Sequence, residues 1–358
     1  MFFVNSFKAY LLRVLTRKKS NIFDLRNAKK VLFFRYDRIG DMIITTPVFR
    51  ELKLFLPQVE ISVLASKINQ SVLKNNPYVD HIFINHKNNF FNDFKTLLYL
   101  RKKKFDVCIE FDHSVVPHAI LRLKVINPKV VISVDKKGRY GVSGANLKLY
   151  DYYTKKKKNS HFRDIWLETL SPLGIKPKSN KYDLFCSEFQ NDEAKSFVNN
   201  FYDKFLIGIN LEGAVTGKKI KFSELFQICQ GLYQNDKNIQ IIILSSPNKF
   251  QILKEKVKKM SLDYVVISHK TESILDVAAL IKKLDLIITP DTSIVHIASA
   301  FNKPIVSIHE NNLASYKLFA PKSTLNRTVF SKSMYSLDGF SINSLLSHCF
   351  EIINLKRK

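Results

Sequence analysis

Cysteine is scarce in this chain and never clustered. Cys108, Cys186, Cys229 and Cys349 stand apart among 358 residues, with no C-x-x-C pair and no group of histidines beside them. That spacing excludes a disulfide framework and a thiolate zinc site, and it suits buried thiols in a reducing compartment. Long apolar runs are missing too. The longest are strand-length, such as Ile239–Leu244 with Gln240 inside it, and none approaches the twenty or so residues that span a bilayer, so no transmembrane helix is expected. The G-x-x-x-x-G-K-[ST] phosphate loop is absent, which removes the main support for nucleotide hydrolysis. No helix-turn-helix, zinc or aromatic RNP signature is present to support nucleic-acid recognition. The opening stretch MFFVNSFKAYLLRVLTRKKS lacks the order of a signal peptide, because most charges follow the apolar residues and Lys8 interrupts them.

Acidic residues are in short supply, 31 against 57 Lys and Arg, for a net charge of +26 and a pI near 9.8. This balance favours a polyanionic partner: nucleic acid, an anionic membrane face or a phosphorylated substrate. Runs such as Lys155–Lys158 are equally well explained as solvated surface. With 46% apolar residues the chain is globular, and its length allows two domains.

In residues 1–30, Phe3, Phe7, Tyr10, Leu11 and Val14 recur at helical spacing with Arg13, Arg17, Lys18 and Lys19 nearby. Such a segment can lie on an anionic membrane, or pack the same face onto the protein. From Val31 the sequence alternates between strand and helix. Strands are expected at Val31–Arg35, Val59–Leu64, His81–Ile84, Asp106–Glu110 and Val130–Val134, with helices at Asp41–Phe55, Ser66–Lys74 and Phe90–Lys102 between them. Alternation of this kind means a parallel sheet with right-handed crossovers. Lys136–Tyr182 breaks the rhythm, with one clear helix at Phe162–Leu173 ending at Gly174. The rhythm restarts at Phe205–Asn210 and runs through Ile239–Leu244, Tyr264–Ile267 and Leu286–His309 to a last helix at Ser341–Leu355. The expected organisation is α/β: an N-terminal segment 1–30, a doubly wound domain 31–185, a second doubly wound domain 186–340, and a terminal helix 341–358 that can pack back on the first domain. Two such domains would face a cleft at their strand ends, where open α/β sheets bind ligands.

Two stretches hold the residues for chemistry. In FFRYDRIGDMIITTPVFRELK a buried strand runs through Arg38 and Gly40 to Asp41 at the mouth of a helix. Gly40 permits close approach or a positive φ. Asp41 can cap the helix or take a proton from a bound hydroxyl, and neighbouring positive charges are expected to hold its pKa low. In LIITPDTSIVHIASAFNKPIVSIH a strand, a polar turn at Asp291, Thr292 and Ser293, a helix and a second strand follow one another. The turn caps the helix, or its free N–H groups hold an anion. His296, one turn into the helix, is either a structural residue or a donor to phosphate. In INLEGAVTGKKIKFSEL, Gly213, Gly217, Lys218 and Lys219 form a loop after a strand that suits a diphosphate.

Taken together, RYDRIGDMIITTPVFRELK and TPDTSIVHIASAFNKPIVSIH resemble the N-terminal and donor-site signatures of glycosyltransferase family 9, the ADP-heptose:lipopolysaccharide heptosyltransferase family. INLEGAVTGKK, TESILDVAALIKKLDLIIT and Phe319–Pro321 agree with the family in order and spacing, over residues 30–325. Ser293 replaces a frequent Gly, Ile220 follows the lysines where many members carry Trp or Leu, and Ser245–Asn248 stands where many have a Gly-rich turn. The resemblance implies a GT-B architecture of two Rossmann-like domains, with Asp41 as general base of an inverting transfer and Arg38 and Gly40 on the acceptor side. It implies a donor site of Gly213, Lys218 or Lys219, Asp291, Thr292, Ser293 and His296. It implies no cofactor and no tightly bound metal, with an ADP-linked sugar as substrate and an anionic glycan or glycolipid as acceptor. A cytoplasmic monomer at the inner membrane, binding no nucleic acid, follows as the expectation. The alternatives are a silent sugar-nucleotide-binding scaffold and, on charge alone, a nucleic-acid-binding protein.

Overall fold

The computed structural model describes residues 9, 10, 12–14, 16, 23–87, 89–139, 142, 144, 147–154, 160–213 and 217–357. Most of the basic N-terminal face (Phe3, Phe7, Leu11, Arg17, Lys18, Lys19) and the run Lys155–Lys158 lie outside them. The chain divides into a unit of residues Met1–Lys181 and a unit of residues Tyr182–Lys358.

The first unit is a parallel six-stranded sheet in the order β3-β2-β1-β4-β5-β6. Its strands are β1 (Lys30–Arg35), β2 (Glu60–Ala65), β3 (His81–Ile84), β4 (Val107–Glu110), β5 (Val130–Val134) and β6 (Tyr152–Thr154). Its α-helices are α1 (Ile39–Phe55), α2 (Phe90–Lys103), α3 (Pro117–Ile126) and α4 (Phe162–Leu167). Helices on both faces require central strands that are apolar without interruption; Val31, Leu32, Phe33 and Phe34 of β1 are all buried. Of the N-terminal segment, Leu12 is buried in this unit's core with Leu32 and Phe34, whereas Tyr10 is exposed.

The expected helix at Ser66–Lys74 is reduced to a 3-10 turn at Gln70–Leu73. Asn69 accounts for the difference. Its carbonyl accepts the Ser66 N–H at 2.8 Å and its amide donates to the Arg35 carbonyl at 3.0 Å, so a side chain competes with the helix for backbone partners.

The second unit repeats the plan in the order β12-β11-β10-β7-β8-β9, with β7 (Phe205–Asn210), β8 (Ile239–Leu244), β9 (Val265–Ile267), β10 (Leu286–Pro290), β11 (Ile305–His309) and β12 (Asn326–Phe330). Helices α5 (Glu188–Val198), α6 (Phe222–Asn235), α7 (Phe250–Met260), α8 (Ile274–Ile281), α9 (Ser293–Ala300) and α10 (Leu313–Phe319) flank it. The terminal helix α11 (Ile342–Arg357) buries Leu345, Cys349, Ile352 and Ile353 in this unit's own core, which is where the structure places the segment for which the first domain was considered. Among the described residues no helix is long and apolar enough to cross a membrane.

Candidate active site

Both units carry their polar side chains at the carboxyl ends of parallel strands. In the first unit β1 ends in Arg35, and α1 starts with Arg38 as its extended N-cap. Asp41, in the first turn, accepts the Arg38 N–H at 3.4 Å, and its other oxygen lies 3.4 Å from Arg35 Nη2. Arg35 is itself only 2% exposed. Its guanidinium sits 3.9 Å from the Trp166 ring centroid and within 3.4 Å of Asp37 as well. Arg35 is therefore a fixed, aromatic-backed cation holding two carboxylates. The Asp41 carboxyl is raised above its ordinary pKa, because burial outweighs the pull of Arg35 and Asp37 adds repulsion. This reverses the expectation of a low value, since the sequence displays the neighbouring charges but conceals the burial. Arg38 is exposed. Gly40 lies in helical backbone, so the positive φ its identity allows is not used.

A second cluster at the ends of β4 and β5 escaped the sequence reading. Glu110 and Lys136 are fully buried and paired at 2.5 Å. Lys136 also donates to the Asp112 carbonyl at 2.5 Å, and Glu110 accepts from Ser133 Oγ at 3.0 Å and from the Asp112 N–H at 2.6 Å. Burial works against the Glu110 charge, yet Lys136 and the hydrogen bonds from Asp112 leave its pKa lowered. The neighbouring Asp112 carboxyl is pushed up to about 9 by burial and by the Glu110 charge. The phenols of Tyr36 and Tyr150 are buried without a hydrogen-bond partner. The available signal was two acids, IEFD, at the end of an apolar strand, where a parallel sheet binds ligands.

In the second unit Thr292 caps α9, accepting the Ile294 N–H at 3.2 Å. Asn210, at the end of β7, donates to Thr289 Oγ1 at 2.9 Å and Thr292 Oγ1 at 3.3 Å, which ties the turn to the neighbouring strand. Asp291, Thr292 and Ser293 thus surround a helix N-terminus. His296 is 3% exposed and its Nδ1 has no partner. Burial lowers its pKa to about 4, so the ring is neutral at physiological pH. Beside it lies a residue not singled out from sequence. His309, buried at the end of β11, has Nδ1 4.0 Å from Asp291 Oδ2 and an unpartnered Nε2.

Of the two loop lysines, Lys218 is drawn inward and pairs with Glu310 at 2.7 Å, whereas Lys219 is exposed. Gly213 is needed for this loop to double back, because a Cβ there would come within 1.4 Å of the Lys218 carbonyl. Phe319, from the aromatic-x-Pro segment, brings its ring within 6.4 Å of the His296 ring. Ser245 is buried and bonds Ser268 at 3.1 Å. The cysteine thiols of Cys186 and Cys229 are pushed up by burial to about 11 and about 12, which leaves them protonated and inert.

Two doubly wound parallel-sheet units, one with a buried aspartate at a strand end and the other with polar residues around a helix N-terminus, define the class as an α/β protein of GT-B architecture. The model of glycosyltransferase family 9 (heptosyltransferase) matches residues 95–336, and the chain belongs to that family. It is 23% identical over 325 residues, 87% of this chain and 83% of the other, to an Escherichia coli K12 protein provisionally named lipopolysaccharide heptosyltransferase 4. Its fold matches the crystal structure of a family 9 glycosyl transferase from Veillonella parvula DSM 2008, with a TM-score of 0.75, 18% identity, and 93% and 99% of the two chains covered. The Escherichia coli ADP-heptose lipopolysaccharide heptosyltransferase II is similar in fold, with a TM-score of 0.70, 17% identity, and coverage of 92% and 100%.

Proposed function

We propose that the protein moves a heptose from an ADP-linked donor, with inversion, to a hydroxyl of a lipopolysaccharide-core or other phosphorylated glycan acceptor. The second unit holds the donor. Its diphosphate receives N–H donors from the start of α9 and the Lys218 ammonium, and His296 donates as a neutral imidazole. The first unit supplies Asp41, which accepts the acceptor hydroxyl's proton as the new O–C1 bond forms. The C1–O bond to the diphosphate breaks, and the departing nucleotide's charge is stabilised by the helix N-terminus and Lys218. The raised pKa of Asp41 brings its basicity nearer to what a general base needs, with Arg35 fixing its orientation.

The observation that carries the donor assignment is the buried, unpartnered His296 Nδ1 one turn inside the helix that Asp291, Thr292 and Ser293 open. A helical histidine in a purely structural role would be satisfied within the fold. The net charge of +26 supports two further parts of the reading: an anionic acceptor, and a place at the cytoplasmic face of the inner membrane.

Calorimetry of wild type and His296→Ala against ADP, UDP, GDP and CMP tests the donor site. Selective ADP binding by wild type that weakens about tenfold or more in the variant is the expected result. Equal binding by both would remove His296 from the site, and no nucleotide binding by the folded wild type would overturn the transferase reading together with the sugar-nucleotide-binding scaffold.

A further inference from the structure

Helix α2 (Phe90–Lys103) turns an apolar stripe outward. Its inner face is Leu97 and Leu100, both buried. Asp93 also faces inward, bonding Arg122 at 2.8 Å and the His86 N–H at 3.2 Å. At about 100° per residue, Phe90, Phe94, Leu98 and Phe91 fall within one sector of about 100° that runs from beside Leu97 outward to solvent. They are 74%, 43%, 41% and 83% exposed. Phe90 stacks on Phe94 with centroids 6.0 Å apart and meets Phe91 edge-on at 6.1 Å, so the rings form one patch. Isolated exposed apolar residues need no explanation, but a contiguous aromatic stripe marks an interaction surface.

Cations frame this stripe. Lys95 and Lys102 lie along its solvent side, Lys87 precedes the helix and Lys103 and Lys104 close it, while Arg101, within the same sector, donates to the Val125 carbonyl at 2.9 Å. Asp93 is the one acid in residues 87–104, and it is engaged with Arg122. A second copy of the chain docked symmetrically here would bring like charges together. An anionic bilayer meets both features at once, taking aromatic rings at the headgroup boundary and lysines at its phosphates. We propose that the outer face of α2 is the surface by which this protein docks on an anionic membrane. This rests on the membrane partner proposed above and adds to it a defined element.

The test is co-sedimentation of the full chain with vesicles of phosphatidylglycerol and phosphatidylethanolamine, and with vesicles of phosphatidylcholine alone. Wild type is compared with Phe90→Ser/Phe91→Ser/Phe94→Ser, with Lys95→Glu/Lys102→Glu, and with Phe91→Ser alone as the mildest change. ADP affinity equal to wild type certifies that each variant is folded. Expected are at least tenfold weaker partitioning of wild type onto the neutral vesicles, a similar loss on anionic vesicles for both multiple variants, and a severalfold loss for Phe91→Ser. If wild type binds anionic vesicles and the triple variant binds them equally, α2 is not the docking face. If wild type binds no vesicle, the membrane partner itself is wrong. A wild-type dimer seen by light scattering and lost in the triple variant, without a change in vesicle binding, would reassign the stripe to self-association.

Discussion

Asp41 and His296 are both buried titratable groups, and burial acts on them in opposite senses. A buried carboxyl resists ionising, so the acid limb of kcat/KM for a reaction needing the Asp41 carboxylate should lie above the ordinary carboxylate range. Asp41→Asn should lower turnover a hundredfold or more while leaving ADP affinity within about twofold; equal loss of both would mark Asp41 as structural. Arg35 is the cation that opposes the burial. Arg35→Gln should therefore move the acid limb to higher pH, and a limb that stays in place would show that another base is rate-determining. His296 behaves inversely. Its pKa is about 6.5 when unfolded and about 4 when folded, so the unfolded state binds more protons between those values. Stability from this group is present above pH 6.5 and falls as pH drops toward 4, by about 3 kcal/mol in all. Denaturant titrations from pH 7 to 4 should show a shallower loss in His296→Gln than in wild type, and parallel curves would assign the acid sensitivity to other groups.

At the scale of elements, the loop between β7 and α6 depends on one missing side chain. Leu211 accepts the Ile220 N–H at 3.1 Å, which closes the loop at its base. Gly213 lies so near Lys218 that any Cβ would displace the backbone. Gly213→Ala should loosen the Lys218–Glu310 pair and weaken ADP binding about tenfold or more, measured by calorimetry; an unchanged affinity would remove Lys218 from the diphosphate site. The sequence announced this loop and the helix start after β10, because glycines, lysines and capping residues following apolar runs have a local physical meaning. It also announced most strands, since buried parallel strands such as Leu286–Pro290 read as continuous apolar text. It concealed β6 and β12, which are edge strands: Tyr152–Thr154 is short and partly exposed, and Asn326–Phe330 carries Asn, Arg and Thr among its apolar residues. It also concealed the ion pairs Glu110–Lys136 and Lys218–Glu310, whose partners lie 26 and 92 residues apart. Glu110, Lys136 and Glu310, read alone, are ordinary surface charges, and the local sequence marks Lys218 as a phosphate candidate without revealing its acidic partner.

For the molecule as a whole, the excess of cations can act on substrate capture without touching the chemistry. A net charge of +26 spread over one chain creates a long-range field that raises the local concentration of anions and speeds their encounter. The field is screened over about 30 Å at 10 mM salt and about 8 Å at 150 mM. With donor saturating, kcat/KM for a phosphorylated acceptor should therefore fall about tenfold between those salt concentrations, while kcat stays nearly constant. The same acceptor stripped of its phosphates should start with a lower kcat/KM and show little dependence on salt. Steady-state rates for both acceptors across the series decide the matter. A flat kcat/KM for the phosphorylated acceptor would show that the basic surface does not serve acceptor capture. A fall in kcat at constant KM would place the salt effect on the catalytic step instead.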